Sequence, residues 1–250
     1  MFYAYMRKSS KPLTSYPRPS LAVDVVALTV ESGHLRVALY KRADAPQKGH
    51  YALPGGFVHI DESLDDAAAR LLEAKAGFTK VFLEQLYTFG DVRRDPRGRV
   101  VTVAYYALVD AARFHKNSND TAHKAVGARV AVPWPGETGG PVDVVVTAAG
   151  AAEGAAVPLA VDHADVLGLA VKRLRGKLDY TPVGFQLLPQ EFTLRQLQEI
   201  HEAVRGEELN KDSFRRRMLT SGLLEATGAR ERDVSYRPAE LYRFLRRSAV

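Results

Sequence analysis

Residues 53–78 read LPGGFVHIDESLDDAAARLLEAKAGF: a Pro/Gly turn, a short polar loop, then a segment whose apolar residues recur every three or four positions. Leu64, Ala67, Leu71 and Ala74 share one stripe, which predicts a helix over 63–76, and Gly77 stands where a helix C-cap belongs. Upstream, LAVDVVALTVESGHLRVALYKR (21–42) holds two apolar runs around ESGH, the pattern of a β-hairpin with a Gly-containing turn. Downstream, VFLEQLYTFG (81–90) and RVVTVAYYALV (99–109) read as strands on either side of DVRRDPRG, a turn rich in charge, Pro and Gly. Strand, strand, helix, strand, strand predicts an α/β fold of the α+β kind, a mixed sheet with flanking helices.

Residues 136–158 are a Gly/Ala/Val stretch that reads as a long loop with one short strand at 142–146. Beyond it the periodicity becomes helical. Leu167, Val171, Leu174 and Leu178 make one stripe, and Leu194, Leu197, His201 and Val204 make a second. A third helix is expected from about Lys211 to Ser221, with Asn210 as N-cap and Gly222 after it. PVGFQLLPQEF (182–192) reads as extended, and residues 223–244 as a hairpin around a charged tip. Helix, strand, helix, helix, hairpin is the order of a winged helix-turn-helix. The expected organisation is a tail over 1–20, a ligand-sensing domain over 21–163 and a winged domain over 164–250.

On the third helix, Phe214, Met218 and Leu219 are expected to face the core. Ser213, Arg216, Arg217 and Thr220, spaced i, i+3, i+4 and i+7, form a polar stripe on the other side, with Lys211 at its N-terminal end. Arginine pairs bidentately with guanine and hydroxyls reach bases or phosphates, so this stripe suits a DNA major groove. A plain solvated face is the alternative. The preceding amphipathic helix and a following hairpin carrying Arg230 and Arg232, with Arg237 just beyond, favour DNA.

Within 53–78, Gly56, Glu62, Arg70 and Gly77 stand in the register of the Nudix box, the loop-helix-loop of Nudix hydrolases, and the segment resembles it. The family pattern has three glutamates where this chain has Leu71, Ala74 and Lys75. On a helix those positions converge, so three carboxylates there hold the Mg²⁺ ions that bridge a diphosphate. Glu73 points about 100° away from Ala74 and is no substitute. Lys75 is a cation where a metal ligand belongs, able to neutralise a diphosphate itself. The contrary reading, a decayed box kept for packing, draws on Leu71, which extends the core stripe.

The C-terminal segments 173–204, FRRRML (214–219) and RPAELYRF (237–244) are similar to the Nudix-related transcriptional regulators of NAD metabolism, the NrtR family. Together with the box the similarity runs from about Leu21 to Leu245. It implies a homodimeric repressor whose Nudix-like domain senses ADP-ribose and whose winged domains bind a palindromic operator near NAD synthesis or salvage genes. Read with that resemblance, the candidate ligand residues are Arg42, Phe57, Glu62, Arg70, Lys75 and Arg94. No catalytic residue, metal or required cofactor is assigned. Lys41 is a second basic residue at the strand end that carries Arg42. Arg94 and Arg97 either meet phosphate or pair with Asp91 and Asp95; Tyr105 and Trp134, like Phe57, are aromatics that could stack on adenine or lie in the core. Asp162 and His163 fall at the join of the two domains, where His163 either passes ligand binding on or is a structural histidine.

Composition narrows the classes. The chain is 46% apolar and 26% charged, as ordinary water-exposed domains are, and no apolar run approaches the roughly 18 residues that cross a bilayer. It has no cysteine, which fits a reducing cytoplasm, and DNA binding would place it on the nucleoid. Of the net charge of +6, +4 lies from His163 onward, which suits a polyanion partner. The regulator reading stands beside two others, a Nudix-type ADP-ribose pyrophosphatase with a variant metal site and a catalytically dead protein-binding scaffold.

Overall fold

The computed structural model of the chain describes residues 12–118, 125–146, 156–178, 181–232, 235 and 237–245. The first eleven residues of the expected tail and residues 147–155 of the Gly/Ala stretch lie outside the described residues. Strand β1 (Ser20–Glu31) turns through Ser32 and Gly33 into β2 (His34–Lys41), with Glu31 opposite His34. Both turn residues have left-handed φ, 51° and 72°, so the two-residue connection twists with its strands and fixes their register. Short strands β3 (Tyr51–Ala52) and β4 (Gly55–Phe57) then lead to α1 (Leu64–Ala76). Ser63 caps α1 by accepting the Asp66 N–H, and Gly77 closes it at φ 71°, in the left-handed conformation that glycine adopts without Cβ strain.

Strands β5 (Phe82–Phe89) and β6 (Val100–Leu108) follow. β6 lies parallel to β1 over Ser20–Leu28, and this pairing makes the sheet mixed. Next come α2 (Ala111–Ser118), β7 (Ala125–Ala131) and β8 (Asp143–Val145), giving the order β5-β6-β1-β2-β7-β8, with β3 on β2 and β4 on β1. The strand expected at 142–146 is β8. β1 alternates between two cores, as a two-residue period requires. Val23, Val25 and Ala27 pack with Ala67, Leu72, Phe78 and Phe114 under α1 and α2. Val26, Leu28 and Val30 face the other way, onto α3 (His163–Lys177).

The second core does not stop at α3. It runs on through Phe185, Phe192, Leu197, Phe214 and Tyr242, so α3 is buried between the sheet and the winged segment. That segment comprises a 3-10 helix at Pro182–Leu187, β9 (Glu191–Phe192), α4 (Leu194–Arg205), α5 (Lys211–Thr220), β10 (Leu224–Arg230) and β11 (Glu240–Phe244). The last strands pair as β10-β11-β9, a wing anchored on the connector before α4. Thr193 and Gln196 cap α4 reciprocally, and Asn210 caps α5.

Two expectations change. Residues 182–187 are helical rather than extended, because Pro182 occupies the first turn and the Thr181 hydroxyl accepts the Val183 N–H. Leu219 does not join the core face of α5. Only Phe214 and Met218 are buried, and Leu219 is 44% exposed, since it lies one 100° step beyond Met218 and away from α4.

α3 passes the 136–142 loop at backbone distance. A Cβ on Gly168 would stand 1.8 Å from the Gly140 carbonyl oxygen. Alanine ordinarily improves a helix interior by about 1 kcal/mol over glycine. At this contact Gly168→Ala instead destabilises the protein by about 1–3 kcal/mol, read as a lower urea midpoint.

Candidate ligand cleft and nucleic-acid interface

A small cleft of about 160 Å³ opens between β1, the end of β2, β4, α1 and the loop between β5 and β6. Arg42, Phe57, Lys75 and Arg94, four of the six candidate ligand residues, line it, as do Tyr40, Asp24, Arg97 and His163. The fold explains the convergence. Arg42 directly follows β2, Phe57 ends β4, Lys75 is in the last turn of α1, and Arg94 is carried on the loop that returns beside β1.

The cations of the cleft have protein partners. Lys75 donates to the Tyr40 hydroxyl at 3.0 Å and to the Gly55 carbonyl, and its ammonium lies 4.3 Å from the Tyr40 ring centroid. Arg42 Nε donates to the Pro46 carbonyl at 3.0 Å. Arg97 grips Asp95 through Nε and Nη2, at 3.0 and 2.7 Å, and its guanidinium stands 5.6 Å from the centroid of Phe57, a half-exposed ring at the lip.

Arg94 is the most buried of these cations, its side chain only 4% exposed. It does not pair with Asp91 or Asp95. Its Nε and Nη2 fork onto Asp162 at 2.8 and 2.7 Å, and Nη2 also reaches Asp24 at 3.3 Å. Asp24 meets His163 Nε2 at 3.5 Å, while His163 Nδ1 accepts the Leu53 N–H at 3.0 Å. His163 is therefore a hydrogen-bonded structural residue that ties the box to the first turn of α3. Burial alone would raise the Asp24 carboxyl, but His163 and Arg94 outweigh it and hold Asp24 at about 2.

The other two candidates lie outside the cleft lining. Arg70 donates to Glu62 through Nε and Nη2, at 2.8 and 2.5 Å, and Glu62 also accepts the His59 N–H. Hydrogen bonding to Arg70, then to His59, holds the Glu62 carboxyl at about 2. The pair staples the loop to α1. Tyr105 is buried with its hydroxyl on Asp65, and Trp134 packs against Arg175 with its Nε1 on the Pro141 carbonyl, so neither aromatic lines the cleft. Lys41 stands 6.0 Å from the Tyr51 ring centroid and does not line the cleft either.

On α5 the face opposite Phe214 and Met218 centres on Arg216, with Ser213 and Thr220 beside it and Arg217 at the margin, all exposed. Exposed Lys211, at i, i+3 and i+7 with Phe214 and Met218, instead falls on their side of the helix and outside the stripe. Thr220 Oγ1 donates to the Arg216 carbonyl at 2.9 Å, so its proton is engaged with the helix. Arg217 stands 5.4 Å from the Phe214 ring centroid. Arg230, Arg232 and Arg237 are exposed on the wing. A groove of about 780 Å³ between α4, α5 and the wing brings Lys211, Arg230 and Arg237 together with Arg195 and Arg215. Arg215 was missed in the sequence because the stripe chosen there was one step round the helix from it.

Residues 18–133 match the NUDIX domain, and residues 184–244 match the NrtR DNA-binding winged helix domain. The ADPR responsive transcriptional repressor NtrR of Acinetobacter baylyi is 37% identical over 245 residues, 97% of this chain and 87% of that protein. The chain belongs to the NrtR family of Nudix-related regulators. The crystal structure of Shewanella oneidensis NrtR complexed with a 27mer DNA superposes on this NrtR-family chain with a TM-score of 0.70 and 33% identity, covering 90% of this chain and 93% of that one. An ADP-ribose pyrophosphatase of Methanocaldococcus jannaschii is 29% identical over 119 residues, 48% of this chain and 67% of that protein.

Nudix hydrolases work with divalent metal, and the residues present in this NrtR-family chain do not fit one. Leu71 is buried with its Cδ2 packed under Gly56, where a Cβ would be only 2.9 Å away. Ala74 offers no ligand. Lys75 puts an ammonium on the Gly55 carbonyl, and a positive charge there repels a metal ion. Glu73 is exposed on another face.

The depressed Asp24 pKa has a consequence for stability. Its ordinary value is 3.8 and its folded value about 2, so the ion cluster contributes fully above 3.8 and is lost as pH falls toward 2. Asp24→Asn is expected to cost roughly 2 kcal/mol at pH 7 in urea unfolding, and the gap to wild type should shrink steadily as pH falls from about 4 to about 2.

Proposed function

We propose that this protein is a homodimeric transcriptional repressor whose cleft receives ADP-ribose, or a nucleotide diphosphate like it, without hydrolysing it. Ligand binding releases the winged segments from a palindromic operator controlling NAD synthesis or salvage genes. The observation that carries the reading is Lys75. Its ammonium, fixed on Gly55 and Tyr40, supplies a tethered positive charge where a hydrolase gathers metal, so a diphosphate is neutralised there with no activated water beside it. A sensor that cut its signal would erase it. The similarity to an ADP-ribose pyrophosphatase supports the ligand class, while Leu71, Ala74 and Lys75 oppose the hydrolase chemistry.

On the DNA side, α5 presents Arg216 at the centre of its exposed face, with Ser213, Arg217 and Thr220 around it, while Lys211 at the start of the helix stands in the groove that the wing shares, and the wing adds Arg230, Arg232 and Arg237. A two-fold dimer setting two such helices in successive major grooves requires half-sites about one or two helical turns apart. A coupling of about 1–3 kcal/mol between ligand and operator suffices for control.

The test is fluorescence anisotropy on DNA from upstream of NAD-biosynthesis genes in the protein's own genome, beside a scrambled duplex. Specific binding that weakens steeply with salt and is abolished by ADP-ribose is the expected result. Lys75→Ala should bind operator like wild type yet need at least about tenfold more ADP-ribose for release, since a charge-assisted phosphate contact is lost. Absence of specific binding, with AMP formed from ADP-ribose in Mg²⁺, would establish the hydrolase instead.

A further inference from the structure

The cleft that holds the candidate ligand residues is small. Its volume of about 160 Å³ is well below the roughly 300–1,000 Å³ of sites that engulf molecules of drug size. What fills it is side chains bonded to one another, and Arg94 is the deepest of the cations. Arg94 cannot offer its fork to a phosphate while both arms hold Asp162. Asp162 in turn is the residue immediately before α3, and its own side chain makes no capping bond to that helix. Its carboxylate serves Arg94.

The chain entering this contact is strained. Val161, a β-branched residue, has φ 48°, in the left-handed region that such residues avoid. A conformation of this kind costs on the order of 1–3 kcal/mol and persists only where neighbours over-determine it. Here the Val161 N–H is held by Gln47 Oε1 at 2.8 Å from one side, and Asp162 by Arg94 from the other. Val161 and Gln47 both line the cleft. Beyond Asp162, α3 runs buried to Arg175, whose Nε donates to the Val204 carbonyl in the last turn of α4 at 2.7 Å. α3 thus links Asp162 to α4, the helix against which α5 packs.

We propose that Asp162 is a positioning residue that competes with the ligand's phosphate for Arg94, so that the Arg94–Asp162 pair couples occupation of the cleft to α3 and the winged segment. With the cleft empty the fork closes on Asp162 and Val161 is held in its strained turn. A diphosphate entering beside Lys75 takes the Arg94 fork, Asp162 is released, and Val161 relaxes, moving the start of α3. Asp24 keeps one contact to Arg94 in either arrangement, so the guanidinium is never left buried without a carboxylate. This rests on the proposed function, from which it takes the phosphate-bearing ligand and the operator.

The experiment uses the full-length chain, with ADP-ribose affinity by titration calorimetry and operator affinity by anisotropy, for wild type, Asp162→Asn and Asp162→Glu. Removing the competitor should tighten ADP-ribose about tenfold and lower the concentration that half-releases operator by a similar factor, while operator affinity without ligand does not rise. Asp162→Glu, which restores the carboxylate, should return toward wild type. Unchanged or weaker ADP-ribose binding by Asp162→Asn overturns the proposal. So does tighter binding of both ADP-ribose and operator, which is what loss of one negative charge does by itself. A wild type whose operator binding ignores ADP-ribose overturns the functional reading, and is visible before any variant is made.

Discussion

The burial of α3 is the constraint on which the arrangement of the protein depends. Leu167, Val171 and Leu174 are inaccessible to solvent, covered by the mixed sheet on one side and by the 3-10 helix and α4 on the other. Exposing such side chains costs about 1.5–3 kcal/mol each, so the winged segment does not hang on a linker but shares one core with the sheet. Gly168 sets how closely α3 approaches the 136–142 loop. At the far end, Arg175 donates to the carbonyls of Trp134 and Gly136 in the loop after β7 and of Val204 in the last turn of α4, a buried guanidinium that ties the two together. Burial pulls its pKa down, with Glu207 nearby acting the other way.

At the start of the same helix the forces are electrostatic rather than apolar. Asp24, Arg94, Asp162 and His163 form a buried cluster in which each charge has a hydrogen-bonded partner, and such a cluster is costly to break on one side only. Its members come from β1, the loop before β6 and the first residues of α3. The cluster, the Val161 turn and the box loop meet within one cleft, so an anion that enters competes directly with groups that hold α3 in place.

Local pattern was legible in the sequence wherever one short segment fixed its own geometry. The ESGH hairpin, the Gly77 cap and the Asn210 cap each depend on residues within a turn of one another, and the structure has them all. The loss of the box acids was equally plain, because i, i+3 and i+4 on a helix is a local relation. Residues 111–131 carry no such local signal: AARFHKNS buries one aromatic, Phe114, and has too few periodic residues to declare α2. The partner of Arg94 could not be read either. Asp162 lies 68 positions away, and nearby Asp91 and Asp95 were the more visible choices. Leu219 failed for a different reason, since a leucine next to Met218 looks like core until the placement of α4 limits the buried face to Phe214 and Met218.

The claim at the centre of this account is that a tethered ammonium has replaced the metal in the Nudix-like cleft, leaving a receptor in place of a catalyst. Calorimetric titration of ADP-ribose into the full-length protein, once in EDTA and once in excess Mg²⁺, with the mixture afterwards separated for AMP, tests it most directly. The account predicts the same affinity in both and ADP-ribose recovered intact. Binding that requires Mg²⁺, or AMP accumulating with time, would contradict it.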